Sequence, residues 1–342
     1  MATVAVIGAG VLGLTTAVAL QRRMPWVSVT LITERLSPET TGDGSAGLWE
    51  PYLLGDTPSD NVLRWSKRSY DIFCELWKSP LAGDAGVSLV PVIYVSEDSN
   101  QSLPDWRQVV LGFKEMNKRE ISQFSSQFGK QYRFGFRYIS FTCEPTKYLP
   151  LLLQEFKTRG GILQLSRVSS LNELASSRYS IVVNCTGLQA RFVVPDLDMH
   201  PIRGQVLRVK APEVFHCFMD DSNNGCYIIP NHETVILGGT KQNDWNLKVD
   251  PKDSQFIHSS CCSVLPQLRG AQIVKEWVGL RPGRFQVRLE RESRKLPNGQ
   301  EIEIVHNYGH GGAGVTLSWG CAEEAVDIVH KILEEKTPRA ML

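Results

Sequence analysis

The feature that most constrains the fold lies at the N-terminus, where Thr3 to Ile7 (TVAVI) runs directly into Gly8-Ala9-Gly10-Val11-Leu12-Gly13. A short, wholly apolar, β-branched run of this kind reads as a strand buried on both faces of a parallel sheet. Leu14 to Leu20, rich in leucine and alanine, favours a helix. Val27 to Ile32 (VSVTLI) supplies a second strand, with Glu34 just beyond it and 21 residues after Gly13. The order closes a βαβ unit. Gly8 permits the tight turn, Gly10 lets the backbone approach a pyrophosphate at the helix N-terminus, and Gly13 lets helix and strand pack closely. Glu34 can accept hydrogen bonds from ribose hydroxyls and would repel the extra phosphate of NADP. The unit therefore predicts dinucleotide binding through Gly8, Ala9, Gly10, Gly13 and Glu34, and by itself serves NAD and FAD alike.

Ser180 to Cys185 (SIVVNC), followed by Thr186-Gly187, reads as another strand of the same sheet ending in a tight loop. Val87 to Val95, Tyr132 to Thr142, Gly204 to Val209 and Cys226 to Gly238 have a different texture, aromatic and β-branched runs broken by Pro, Gly and Asn. They predict a second, largely antiparallel sheet. At 342 residues the chain exceeds one ordinary core. The expected architecture is thus α/β plus β. A discontinuous Rossmann-like nucleotide domain takes residues 1–50, 149–200 and 285–342, and an inserted substrate domain takes 51–148 and 201–284. Near the end, HNYGHGGAGVT at 306–316 sets four glycines within six residues ahead of Leu317 to Gly320 and a helical segment, Cys321 to Glu335. Bare backbone N–H groups there suit a flavin ring or a substrate amine. The alternative is a glycine-rich turn used for packing alone.

A formal charge of +1 advertises neither nucleic acid nor an anionic membrane as a partner. No apolar run approaches the roughly 20 residues needed to cross a bilayer. The eight cysteines are scattered, without C-x-x-C pairs or neighbouring histidines at metal-ligand spacing, so no metal is expected and a reduced compartment fits. The N-glycosylation patterns at Asn100 and Asn184 then read as chance.

Taken in order, VAVIGAGVLGL (4–14), SPETT and AGLWEPYL (around 37–53), VVLGFKEM (109–116), VVNCTGL (182–188), RGQVLRV (203–209), GGTKQNDWN (238–246), VGLRP (278–282), VRLERE (287–292) and HNYGHGGAGVT resemble the D-amino acid oxidase and D-aspartate oxidase family of peroxisomal flavoenzymes. The resemblance covers nearly the whole chain and implies tightly held, noncovalent FAD. It matches Gly8, Gly10, Gly13, Glu34 and Arg35 to adenosine and pyrophosphate contacts, and Thr40, Thr41, Ala46, Gly47 and Leu48 to pyrophosphate and flavin contacts. Val168 matches the adenine contact, and Thr186 joins the cofactor set. Arg288, Gly311, Gly312, Val315 and Thr316 match contacts on the flavin side.

The same resemblance implies a catalytic centre in which Arg281 binds the substrate α-carboxylate through two parallel hydrogen bonds and Tyr227 adds a third. Gly312 would offer its backbone carbonyl to the substrate amine. His310, amid glycines, is expected to make a structural hydrogen bond. The implied reaction is hydride transfer from Cα of a D-amino acid to flavin N5, with dioxygen as final acceptor. Lys241 falls where the aspartate branch has a basic residue facing a side-chain carboxylate, which points to D-aspartate and D-glutamate. A second arginine expected in that branch is missing, the stretch reading Phe218-Met219-Asp220-Asp221, and neutral D-amino acids are the alternative. More remote alternatives are an NAD-dependent dehydrogenase and a non-catalytic dinucleotide-binding module. Ala340-Met341-Leu342 resembles an S-K-L-type peroxisomal address in its first and last residues. A peroxisomal import receptor and a second copy of the chain remain open as partners, with the cytosol as the alternative location.

Overall fold

The computed structural model describes residues 2–174, 179–223, 225–299 and 301–336. Thr3–Ile7 is a strand whose interior is fully buried, as its unbroken apolar run requires. It pairs in parallel with Ser28–Thr33 on one side and Ile181–Asn184 on the other. The three strands expected together therefore share one sheet. That sheet has six strands, in the spatial order Arg288–Lys295, Glu301–Tyr308, Ile181–Asn184, Thr3–Ile7, Ser28–Thr33 and Ile162–Leu165. Only the hairpin of Arg288–Lys295 with Glu301–Tyr308 is antiparallel. Asn184 is wholly buried inside this sheet, which leaves no access for a glycan.

The helix Val11–Arg23 follows the first strand across the turn Gly8 to Gly10 and ends on Arg22 and Arg23, whose charges complement the carbonyl end of the helix dipole. It packs between the helices Gly314–Lys336 and Pro145–Thr158. Leu14, Val18, Phe156, Val326 and Val329 join Val4, Val6 and Leu31 in the shared core. The last helix starts at Gly314, seven residues before the expected Cys321, because Val315 to Gly320 already face the core, and Gly320 lies inside it against the Trp65 backbone.

The second sheet has eight strands, in the order Gln272–Gly283, His200–Lys210, Val235–Gly238, Tyr227–Pro230, Cys217–Asp220, Val87–Ser96, Phe134–Cys143 and Leu111–Glu115. Its pairings are antiparallel except that of Cys217–Asp220 with Val87–Ser96. The Cys226 to Gly238 run is a hairpin whose turn residues Asn231 to Thr234 interrupt the apolar pattern. A segment from the first unit reaches across: Gly47 accepts from Cys143 N–H and Trp49 N–H donates to Phe141. No described helix is long and apolar enough to cross a membrane.

Candidate active site

The N-terminal glycine loop has the geometry its sequence promised. Gly8 sits at φ 100°, in the region that side chains rarely adopt, and its N–H donates to Ile32 O at 2.8 Å. A Cβ on Gly13 would lie 1.7 Å from Gly8 O, so helix and turn touch backbone to backbone. A Cβ on Gly10 would meet nothing within 4 Å, which leaves the backbone open on the side where a pyrophosphate would approach. Thr33, not singled out from the sequence, braces the loop: its hydroxyl accepts from Ala9 N–H at 3.2 Å and donates to Arg35 O at 2.7 Å. Glu34 and Arg35 are exposed just beyond it. Thr186 lies against Gly8, its hydroxyl donating to Asn184 Oδ1 at 2.8 Å. The C-terminal glycine loop arrives at the same place, with Gly314 packed on the side chains of Val11 and Leu12.

The 37–48 segment is a tight turn. Thr40 donates from its N–H and hydroxyl to Asp43 at 2.8 and 2.6 Å, which closes a capping box, while Thr41 stays exposed. Arg208 from the second sheet donates to the carbonyls of Asp43 and Ser45, and Asn231 to that of Ala46. These tethers were invisible in sequence because Arg208 and Asn231 lie far away in the chain. Ala46 and Gly47 are buried, and Leu48 is half-buried. Ser45 Oγ is buried with no partner, as are Trp277 Nε1 and His310 Nε2. Unsatisfied polar atoms beside two glycine loops fit a polar, elongated ligand such as a dinucleotide.

Arg281 and Tyr227 stand together over a floor cleared of side chains. A Cβ on Gly204 would fall 2.2 Å from Arg281 Nη1, and Cβ atoms on Gly238 and Gly239 would strike the Tyr227 ring at 2.0 and 2.6 Å. The glycines of RGQ and GGT are thus needed for close approach. Arg281 donates to Thr240 O at 3.1 Å. Burial pushes the Tyr227 hydroxyl above its ordinary pKa, and the Arg281 guanidinium, through charge and a hydrogen bond, holds it back. Tyr52 contributes a third polar group. Its ring lies where a Cβ on Gly312 would fall, 2.5 Å from Cδ1, and burial raises its hydroxyl to about 12 against the pull of Arg281. Gly312 itself is exposed. Gly311, at φ 52°, presses on Leu53 O. Val315 is buried, and Thr316 anchors the neighbouring segment, its hydroxyl accepting from Glu50 N–H at 3.1 Å and donating to Glu50 O at 3.0 Å.

Charged groups gather on the opposite wall. Asp221 accepts from the Tyr94 hydroxyl at 2.8 Å and pairs with Lys241 at 3.8 Å. Lys241 is 60% exposed, so this contact is a screened surface pair. Asp220 points elsewhere, to Tyr132 and Lys130. Glu50 is deep but partly accessible, and loss of solvent raises its carboxyl to about 7; the Tyr138 hydroxyl draws it down and the charge of Asp221 pushes it further up.

Three further residues named from the sequence have surroundings that the sequence did not show. Arg288 has every guanidinium nitrogen engaged, by Glu290, Tyr308 and Glu292 at 2.7, 2.8 and 3.1 Å, in an ion-pair network on the edge strand of the first sheet. Val168 packs, half-buried, against the core on the other side of the first sheet, with Tyr179 and Leu188. His310 Nε2 does not make the structural hydrogen bond expected; burial lowers the ring to about 3, which keeps it neutral and unable to act as an acid.

Residues 3–328 match the sequence model of a family described as FAD dependent oxidoreductase. The chain is 41% identical to the D-aspartate oxidase of Homo sapiens, over 98% of this chain and 97% of that protein. It is 38% identical to a D-amino-acid oxidase of Rubrobacter xylanophilus, over 95% of each. Among solved structures, glycine oxidase from Bacillus cereus superposes with a TM-score of 0.75, covering 100% of both chains at 17% identity, a likeness of fold alone.

Proposed function

Because the chain belongs to the FAD dependent oxidoreductase family, we propose that it catalyses oxidative deamination of D-amino acids, giving a 2-oxo acid, ammonia and hydrogen peroxide. Its cofactor is FAD. When bound, FAD would supply the two-electron acceptor for the hydride leaving Cα. The observation that carries the reading is the pairing of Arg281 with Tyr227 on a glycine floor, beside Tyr52 and Gly312.

The chain's own residues do four things. The guanidinium of Arg281 takes the α-carboxylate, and the hydroxyl of Tyr227 adds a donor to it, which fixes that substituent of Cα. Tyr52, held against the 311–312 loop, narrows the space above and limits water. The carbonyl of Gly312 orients the substrate amine in its neutral form. Gly8, Ala9, Gly10, Gly13, Thr186, the turn 40–48 and the loop 311–316 hold the cofactor. No general base is required, since the amine carries a lone pair that forms the C=N bond as hydride departs, and water then hydrolyses the imine.

The identity to D-aspartate oxidase supports an acidic substrate, whereas the pairing of Lys241 with Asp221 leaves little free positive charge for one. Oxidation of D-amino acids is therefore the reading carried forward, with the side chain decided by the pocket wall. Purified protein should be yellow and release FAD on denaturation. Anaerobic D-alanine or D-aspartate should bleach it, and their L-enantiomers should not. Binding of NAD with no flavin spectrum, or flavin that no D-amino acid bleaches, would refute the proposal. The peroxisomal location rests on Ala340-Met341-Leu342, which lie outside the described residues; a reporter bearing the last dozen residues should become punctate.

A further inference from the structure

Once a substrate is bound, the positive charges of the pocket are used up. Arg281 meets the α-carboxylate, and Lys241 is already paired with Asp221. What remains is Glu50. Its backbone is fixed on both sides by the Thr316 hydroxyl, so the carboxylate cannot swing away with the loop. Among the described residues no arginine, lysine or histidine forms an ion pair with it. Beside it stands Tyr138, 2% exposed, whose neutral hydroxyl is the donor that draws the Glu50 carboxyl down. The other groups around it, Tyr52, Tyr94, Asp221 and the thiol of Cys217, are neutral or acidic.

We propose that Glu50 is a specificity-determining residue that receives a cationic side chain, so that D-lysine, D-ornithine or D-arginine is a preferred substrate class. The proposal rests on the D-amino acid oxidase reading above and deepens it. A buried carboxylate without a counter-ion is costly, and an incoming ammonium or guanidinium offsets that cost while losing its own hydration. An acidic side chain would meet the opposite sign. Because burial holds the Glu50 carboxyl near neutrality, it is mostly protonated below about pH 7 and ionised above it. The preference for a basic side chain should therefore strengthen as pH rises.

The test is a peroxide assay of the FAD-loaded full chain with D-lysine, D-alanine and D-aspartate, from about pH 6 to about pH 8.5, either side of the expected titration. The readout is the ratio of kcat/KM for D-lysine to that for D-alanine, in which ionisation of the common α-amine largely cancels. The expected result is a ratio that rises through neutrality in the wild type, and in Glu50→Gln a flat ratio lowered by roughly tenfold or more at the upper pH. The wild-type pH profile stands even if the variant folds poorly. A D-lysine ratio that is flat in the wild type, or unchanged in Glu50→Gln, overturns the role of Glu50 while D-alanine turnover keeps the oxidase reading intact. Turnover of no D-amino acid at all overturns both.

Discussion

At the scale of single residues, the site depends on contacts that a charge can make only where glycine gives it room. Arg281→Ala should lower kcat/KM by about a hundredfold or more, equivalent to about 3 kcal/mol, because the α-carboxylate loses a bidentate charge-assisted contact. The flavin spectrum of the purified variant should stay normal. Steady-state kinetics beside a flavin titration would check both halves, and near-normal activity would show that another group holds the carboxylate. Gly204→Ala should mimic part of that loss, since its methyl would fall 2.2 Å from Nη1 and displace the guanidinium. Arg281 and Tyr227 were named through the family resemblance, Arg281 on VGLRP; without that resemblance Tyr227 reads as one more sheet-face tyrosine. Glu50 was not named: within GLWEPYL it is one polar letter, and its meaning comes from Tyr138 and Asp221, supplied by segments about 90 and 170 residues away. Lys241 was named through the resemblance to the aspartate branch, and sequence could not show Asp221 beside it.

At the scale of elements, the strand-loop-helix at the N-terminus was readable to within a few residues because buried parallel strands and their glycine turn leave few alternatives. The last helix was placed too late because glycines at 311, 312 and 314 obscured its start. Gly13→Ala should push the helix off the turn, since the new methyl would sit 1.7 Å from a backbone oxygen that cannot yield. The expected outcome is protein purified largely without flavin and weakened FAD affinity on titration; full flavin content would mean that the loop tolerates the shift. Thr33→Val should have a milder effect of the same kind, because it removes the acceptor for Ala9 N–H and the donor to Arg35 O while keeping the volume. A loss of about 1 kcal/mol in FAD binding is expected, read by fluorescence titration.

At the scale of the whole molecule, distant parts of the chain are joined by a few polar ties that no local pattern announces. Asp196 accepts from Tyr308 at 2.7 Å and from Arg284 at 2.9 Å, linking a strand of the first sheet to the segment that leaves the second. Burial opposes its ionisation, but the Tyr308 hydroxyl and the Arg284 guanidinium hold its carboxyl below the ordinary range. A depressed carboxylate contributes stability that is present at neutral pH and lost as pH falls through its folded value. Asp196→Asn should therefore cost about 2 kcal/mol at pH 7, with a gap from wild type that narrows below about pH 4 in urea titrations. The two sheets themselves were foreseeable from texture, but their strand orders were not, since pairing partners are set by three-dimensional packing. One such order carries further. The single parallel seam of the second sheet, between Cys217–Asp220 and Val87–Ser96, divides the strands bearing Arg281 and Tyr227 from those bearing Tyr94 and Tyr138. Mutational drift on the far side of that seam can redraw which side chains are accepted while the grip on the amino acid's common end is inherited untouched, which would let one ancestral scaffold radiate into enzymes of different diet.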